Sequence, residues 1–432
     1  MRTEFSAAQL ADPETAASEQ AIRRCVHCGF CTATCPTYAL TGDELEGPRG
    51  RIYLIQRMLE QGATPSVETV RHIDSCLSCL SCKTTCPSGV DYMHLIDHAR
   101  AYVADRHRRP WNERLVRRML AAILPYPRRM RAAVVLAYLG RPLAGIFGRF
   151  DLLKPVAAML VLAGRSKGSS ADSAPPPVSG PRMKVALLRG CAEPVLRPEI
   201  RAATIRLLHR AGCEVVDIEG EGCCGALVHH MGLTQPGLDA ARRNIDAWSG
   251  AIARSGIEAV VVATSGCGTM LKNYGFLLQS DPDYAAKAKR IAAMSLDISE
   301  LLARLAPTLT APEPLTIAYH APCSLQHGQA VRAEPRALLE AAGFRVVVPA
   351  EAHMCCGSAG TYNILQPDTA QQLAARKIGH LDALGADAIV SGNIGCIMQI
   401  DTGRTAPVLH LVELLDWAGG GPLPAALADR RS

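Results

Sequence analysis

Only 4% of the 432 residues are Phe, Tyr or Trp, so any core must be built mainly from Ala, Val, Leu and Ile. Charged residues make up 20% and hydrophobic residues 48%, which excludes a disordered, collagenous or coiled-coil chain. No stretch reaches the ~18 uninterrupted apolar residues of a membrane-crossing helix. The longest candidates, Ala132 to Leu139 and Val156 to Gly164, are short and flanked by Arg, Lys or Asp. The opening residues, MRTEFSAAQLADPETAASEQ, lack the apolar run of a secretory signal. A net charge of +6 is too mild to imply nucleic acid. Together these absences predict a cytoplasmic chain of about two to four domains by length.

Cysteine, by contrast, is abundant and grouped: 17 residues, eight of them within residues 1–110, none in 111–165 and nine after the linker. A cysteine-rich chain inside the cell uses its thiols for metal or redox chemistry rather than disulfides. Cys25-x2-Cys28-x2-Cys31-x3-Cys35-Pro36 is followed by Cys76-x2-Cys79-x2-Cys82-x3-Cys86-Pro87. This is the bacterial ferredoxin run that holds [4Fe–4S] clusters, in which the fourth cysteine reaches the neighbouring cluster. The spacing therefore assigns Cys25, Cys28, Cys31 and Cys86 to one cluster and Cys76, Cys79, Cys82 and Cys35 to the other. Zinc is disfavoured, because zinc sites use cysteine pairs separated by longer gaps. His27 lies inside the first run and reads as a hydrogen-bonding or surface neighbour, since the ligand count is complete without it. Between the runs, Arg49 to Gly62 places Ile52, Ile55 and Leu59 on one helical face, so helices join the two motifs. This resembles the α-helical ferredoxin domains of respiratory iron–sulfur subunits.

Residues 100–149 hold twelve Arg, no Lys and only Asp105 and Glu113 as acids, a local net charge of +10. Mixed with apolar runs and Trp111, Tyr126 and Phe147, this stretch reads as helices. They could lie on an anionic membrane surface, dock an acidic partner, or present a solvated face. Residues 166–182, RSKGSSADSAPPPVSGP, have linker composition.

The remainder is a duplication. VALLRGC ends at Cys191, EGCCG holds Cys223 and Cys224, and VVVATSGC ends at Cys267. The second unit repeats this with IAYHAPC ending at Cys323, HMCCG holding Cys355 and Cys356, and AIVSGNIGC ending at Cys396. The first cysteine precedes its pair by 32 positions in both units, and the tails LDISELL and LHLVELL match as well. Apolar runs at 185–188, 215–218, 259–263, 315–319, 344–348 and 388–390 read as buried strands. They alternate with helical stretches such as Ile200 to Ala211 and Ala330 to Ala342, which predicts parallel α/β units. Each cysteine group then falls at the carboxyl end of a strand, where open α/β sheets place ligands.

The repeated thiols resemble the cysteine-rich, Cys-Cys-Gly domain of heterodisulfide reductase. That family's pattern ends in Cys-x-x-Cys, whereas Met270 and Gln399 stand in the final positions here. The alternatives are a further cluster in one or both repeats, a substrate, quinone or subunit docking site, or a vicinal disulfide switch, the last disfavoured by ring strain. Cys213 has no counterpart, since Phe344 sits in the matching segment, and it reads as core. Gly220-Glu221-Gly222-Cys223-Cys224-Gly225 matches a dinucleotide fingerprint in form. The second repeat keeps only Cys355-Cys356-Gly357, so nucleotide binding is not expected, and no other flavin or nicotinamide motif is present. His320 is a candidate hydrogen-bonding support, a proton relay or a satisfied core histidine.

Taken together, the chain resembles the iron–sulfur subunit of glycolate oxidase, most closely in RRCVHCGFCTATCPTYALTGDELEGPRGRIYLIQRMLE and CLSCLSCKTTCPSGVDY. The resemblance implies a multidomain architecture. An α-helical ferredoxin domain with two [4Fe–4S] clusters (1–110) is followed by a basic helical segment (111–165), a linker (166–182) and two α/β repeats (183–310 and 311–432). It implies an electron-transport subunit of an oxidoreductase, with FAD on partner subunits that oxidise glycolate to glyoxylate. Electrons would leave toward quinone or another acceptor, with the chain peripheral on the cytoplasmic face of the membrane. The catalytic residues would lie on the partner. The alternatives are a subunit of a glycerol-3-phosphate or lactate dehydrogenase, or a heterodisulfide-reductase-like enzyme acting at the repeats.

Overall fold

In the computed structural model, residues 1–150, 153–163 and 180–431 are described. Most of the expected linker lies outside them. The first part is helical, from Pro13–Arg24 through Pro48–Gln61 and Val67–Asp74 to Tyr92–Arg106. Ile22, Ile52, Ile55, Ile73, Leu95 and Ile96 meet in its core. The helix expected over Arg49 to Gly62 begins at Pro48, where the proline suits the first turn, and Gly62 closes it in the left-handed conformation.

The duplicated part forms two four-stranded parallel sheets of the same topology. The first contains β1 (Met183–Leu187), β2 (Cys213–Val216), β3 (Ala259–Val262) and β4 (Ser295–Asp297), in the order β2-β1-β3-β4. The second contains β5 (Thr316–His320), β6 (Arg345–Val347), β7 (Ala388–Ser391) and β8 (Val408–His410), in the order β6-β5-β7-β8. Every pairing is parallel, with Val185 opposite Val215 and Ala259, and Ile317 opposite Val346 and Ala388. The strand order reverses direction at β1 in one sheet and at β5 in the other. Such a reversal opens a crevice at the carboxyl edge.

Six strands lie where the apolar runs placed them. β4 and β8 were not anticipated as strands. The matched tails LDISELL and LHLVELL each begin as a three-residue strand and turn directly into a helix, Ile298–Leu305 and Leu411–Ala418. A capping box makes each turn abrupt: Asp297 with Glu300, and His410 with Glu413. Cys213 is fully buried at the start of β2, as expected of core.

The two sheets share one core, to which Val185, Leu187 and Val261 contribute from the first and Ile317, Ile389 and Leu409 from the second. Their carboxyl edges are tied directly. His410 Nε2 lies 2.8 Å from the Ala263 carbonyl, and the Ser265 and Ser324 hydroxyls are 2.7 Å apart. Buried Asp416 receives Arg206 at 2.7 Å from the helix Pro198–Arg210, and Arg210 at 2.5 Å.

The helical part is locked onto both repeats. Asp97 is buried and meets His230 at 3.0 Å and His229 at 3.6 Å; these histidines hold its carboxyl well below the usual range against the opposing effect of burial. His94 stacks on Phe276 and contacts the Asn273 side chain at 2.7 Å. On the other repeat, Tyr362 donates to the Ser75 carbonyl at 3.1 Å, and the Thr84 hydroxyl lies 2.7 Å from His327 Nδ1.

The middle segment is helical over Trp111–Ile123 and Pro127–Gly140, but it is poorly covered. Pro127–Phe147 runs as 21 helical residues, long and apolar enough by length and composition to cross a membrane; an 18-residue window of it has mean hydropathy 1.3 and is 6% buried. Counting uninterrupted apolar residues missed it because Arg131 and Arg141 break the run without breaking the helix. The Arg charge is also less free than the sequence suggested. Arg109 and Arg117 both bind Asp74, and Arg100 donates to the Ser78 hydroxyl and the Cys76 carbonyl.

Candidate redox site

The first ferredoxin run lies at the end of Pro13–Arg24, and its last cysteine, Cys35, caps Pro36–Thr41. The second run crosses the short helix Ser81–Thr85, entered through Leu80 in the left-handed conformation. These turns bring Cys25, Cys28, Cys31 and Cys86 around one cavity, which Cys82 also lines. A second cavity is walled by Cys35, Cys76, Cys79 and Cys82. Each set combines three cysteines of one run with the last cysteine of the other, the crossed grouping that the spacing predicts. Four thiols around each cavity offer the complete donor set of a cubane cluster. Burial and the neighbouring thiols push Cys31 up to about 11, so this sulfur becomes a thiolate at neutral pH only against a cation such as iron.

The two sets differ in what surrounds the sulfur. Around the second, Ser78 N–H donates to Cys76 Sγ at 3.5 Å and Tyr92 Oη–H at 3.8 Å. The Thr37 hydroxyl lies 3.3 Å from Cys35 Sγ, and the Arg51 guanidinium donates to it at 3.9 Å. Arg51 is fully buried and is held by Glu46 at 2.6 Å, the His72 carbonyl at 2.6 Å, Ser75 at 2.9 Å and Thr37 at 3.1 Å. The sequence reading missed this arginine, which sits on the covered face of its helix beside Ile52 and Ile55. A buried charge gives no periodic signal; the nearest clue is an acid, Glu46, one turn upstream. His27 is exposed, lines the first cavity, and has its Nε2 2.6 Å from Met1 Sδ.

In each repeat the crevice at the carboxyl edge gathers the four thiols. Cys191 follows β1, Cys223 and Cys224 lie beyond β2, and Cys267 opens the helix after β3. Cys191 Sγ and Cys223 Sγ are 3.6 Å apart. The glycine of each Cys-Cys-Gly is obligatory. Gly225 and Gly357 have φ of +90° and +85°, and a Cβ would lie 2.7 Å from the Gly237 carbonyl oxygen and 2.5 Å from that of Ala370. The positions that depart from the heterodisulfide reductase pattern are occupied otherwise. Met270 is buried in the apolar core of the first repeat, and Gln399 accepts from Asn363 at 2.9 Å. Beside Cys191, burial pushes Glu193 up to about 7, although Thr264 donates to it at 2.7 Å. The dinucleotide-like glycines are used structurally: Gly222 N–H donates to Asn244 at 2.8 Å, and Glu221 accepts from Trp248 at 2.9 Å.

The second repeat abuts the second ferredoxin set. Leu77 and Cys79 pack with Cys323, Cys355 and Tyr362 in one apolar cluster. Thus three thiol groups are contiguous, from Cys31 and Cys82 through Cys79 to Cys323.

Comparison with known proteins agrees with this geometry. A family model described as a 4Fe-4S dicluster domain matches residues 21–90, and one described as a cysteine-rich domain matches 185–272 and 317–401. The glycolate oxidase iron–sulfur subunit of Escherichia coli (strain K12) is 39% identical over 97% of this chain and 99% of that protein. The chain belongs to the glycolate oxidase iron–sulfur subunit family. A probable glycolate oxidase iron–sulfur subunit of Bacillus subtilis is 31% identical over 93% of this chain and 95% of its own length. Lactate utilization protein A of Geobacillus kaustophilus is 29% identical over 54% of this chain and 99% of that protein. A hypothetical protein from Helicobacter pylori shares the fold, with a TM-score of 0.58 and 13% identity over 96% of this chain and 74% of that one.

Proposed function

We propose that this chain is the electron-transfer subunit of a glycolate-oxidising complex. On this reading Cys25, Cys28, Cys31 and Cys86 hold one [4Fe–4S] cluster and Cys35, Cys76, Cys79 and Cys82 the other, within the domain boundaries set out above. The clusters accept single electrons from the FAD of a partner subunit and release them toward quinone or another acceptor. The carrying observation is the pair of four-thiol cavities with crossed membership.

The chain's own contribution is to set the direction of flow. Hydrogen bonds to cluster sulfur raise a reduction potential. The donors Ser78, Tyr92, Thr37 and Arg51 gather at the second set. That set is therefore the lower-energy resting place for an electron, and it is the set that adjoins the repeats. The test is an anaerobic complex with its flavin subunits, given glycolate and frozen for EPR. Reduced-cluster signals, with about eight irons and eight sulfides per chain, are expected. A bleached flavin beside clusters that stay oxidised would sink the reading.

We also infer a peripheral membrane contact on the cytoplasmic face, carried by the uncovered middle helices. Trp111, Leu115, Leu136, Leu139 and Phe150 are exposed there. So are Arg108, Arg118, Arg128, Arg129 and Arg131, which no acid answers within that segment apart from Asp105 and Glu113. Apolar side chains beside a cluster of Arg are the composition of an interfacial helix on anionic lipid. Vesicles containing phosphatidylglycerol should bind the chain, more weakly as salt rises. Leu136→Asp with Leu139→Asp should weaken binding by at least about tenfold, given ~1.5–3 kcal/mol per buried side chain. Equal binding of this variant and the native chain would refute the contact.

A further inference from the structure

The two repeats are copies in backbone but not in charge. In each, a helix packs across the Cys-Cys-Gly turn, Thr234–Ser255 in the first and Pro367–Asp382 in the second. The close approach that makes each glycine obligatory sets these helices in register, since the Gly237 carbonyl faces Gly225 and the Ala370 carbonyl faces Gly357. Seven residues onward, on the same helix face, stand Asn244 in the first repeat and Lys377 in the second. Both are buried. Asn244 is neutral and well supplied with partners. Its amide donates to the Cys223 carbonyl at 3.0 Å and the Tyr274 hydroxyl at 3.2 Å, and it accepts from Gly222 N–H.

Lys377 is 1% exposed. Its ammonium donates to the Glu351 carbonyl at 2.7 Å, four residues before Cys355. The Glu351 carboxylate is engaged by Arg376 and His380 instead, and among the described residues Lys377 forms no ion pair. A buried charge with no counter-charge is costly. What can answer it is sulfur. Ala370 and Leu373, on the Lys377 face of the helix, pack with Cys323 and Cys355. Burial lowers the Lys377 ammonium from its ordinary value, and Cys323, Cys356 and Cys355 lead the groups that oppose this. In the first repeat the cation that acts on Cys223, Arg243, is exposed and screened by solvent. Aligning VALLRGC on IAYHAPC also sets Leu188, ordinary core, opposite the fully buried His320. Burial, with Lys377 adding to it, pushes His320 down, so Lys377 and not His320 is the fixed charge of this crevice.

We propose that Lys377 makes the second crevice, and not the first, the one that takes up the electron. This rests on the electron-transfer reading, with the four soft donors Cys323, Cys355, Cys356 and Cys396 holding a redox-active iron–sulfur group. The second ferredoxin set adjoins this crevice, where Cys79 packs with Cys323 and Cys355. One electron leaves the reduced second ferredoxin cluster, which is oxidised by one, and enters the crevice group, which is reduced by one. The partner flavin supplies that electron, and quinone or another acceptor removes it. Lys377 keeps its proton throughout. Its ammonium offsets the added negative charge, and in a low-dielectric interior such an offset raises the reduction potential. Asn244 gives the first crevice no comparable offset. Lys377 is thus a positioning residue for charge, acting on the crevice group through its field and not as a ligand.

The test is a potentiometric titration of the anaerobic complex with its partner subunits, followed by EPR. The second-crevice signal is identified as the one that Cys356→Ser removes. Lys377→Met is expected to disfavour reduction of that group by at least about tenfold, ~59 mV for one electron, while the ferredoxin and first-crevice potentials stay in place. Lys377→Arg keeps the charge and should stay near the native value. Lys377→Gln, neutral but able to reach the Glu351 carbonyl, should follow Met, which separates charge from packing. An unchanged second-crevice potential in Met and Gln would overturn the proposal. So would an equal shift at every group, loss of the crevice signal in the Gln variant, or a native chain with no signal that Cys356→Ser removes. The parent reading is judged separately. Ferredoxin clusters that glycolate cannot reduce in the native complex would refute it, whereas a shift confined to the second crevice under chemical reduction would still decide the role of Lys377.

Discussion

Arg51→Met should destabilise the helical part by about 3–5 kcal/mol, the usual consequence of removing one partner from a buried ion pair. Glu46 lies on the far side of that pair, with its Oε2 accepting from Arg51 at 2.6 Å and its Oε1 at 2.7 Å from His72 Nδ1. Methionine fills the volume but leaves the carboxylate with His72 and Ser75 alone. It also frees the His72 carbonyl and the Thr37 hydroxyl. The four oxygens that Arg51 joins come from segments between residues 37 and 75, including both sides of the second ferredoxin set. The loss should therefore appear as an earlier unfolding step, followed by cluster absorbance in urea, while the α/β repeats hold. Arg51→Lys keeps the charge but cannot fork to several acceptors, so it should fall between the two. In any Met variant that still holds iron, the potential of the second cluster should drop, because a cation and a donor to Cys35 Sγ are gone. Unfolding and potentials indistinguishable from the native chain would show that the buried guanidinium is not the brace described here.

How much of this was open to a reader of the sequence depends on the range of the interaction. The ferredoxin runs were legible because each cubane takes three of its ligands from one short run, and the crossed grouping follows from the proline after each fourth cysteine. The duplication was legible because 32 positions separate Cys191 from Cys223 and Cys323 from Cys355 alike. Six strands were legible as apolar runs. β4 and β8 were not, because three residues such as Ser295–Asp297 carry no period, and a capping box turns them into helix at once. Arg51 was hidden because an arginine on a helix is ordinarily solvated. The surroundings of His320 were hidden because Cys356 and Cys396, which lie near it, come 36 and 76 positions onward and only the sheet crossover brings them together. The segment 111–150 was legible as helix with an outward-facing side, but not which of its residues stay uncovered, since exposure is a property of what fails to pack against it.

Cys28→Ser should remove one of the two clusters, about four of eight irons, and abolish electron transfer, while glycolate still reduces the partner flavin. Cys28 is the right thiol for this test because it is exposed, whereas Cys25, Cys35, Cys76 and Cys82 are buried among core residues. Serine there takes nothing from the packing, so lost iron would report a lost ligand rather than a collapsed domain. The buried thiols could not separate these causes: Cys25, Cys76 and Cys82 belong to the same core as Ile22, Ile55 and Leu95. The second cluster should persist, since Cys28 belongs to one cavity and not to the other. Its EPR signal would then be present after chemical reduction but absent after glycolate if the first cluster is the obligatory entry point. Signal from the second cluster on adding glycolate would instead place the flavin beside Cys79 and reverse the assigned direction. Unchanged iron in the variant would contradict Cys28 as a ligand altogether.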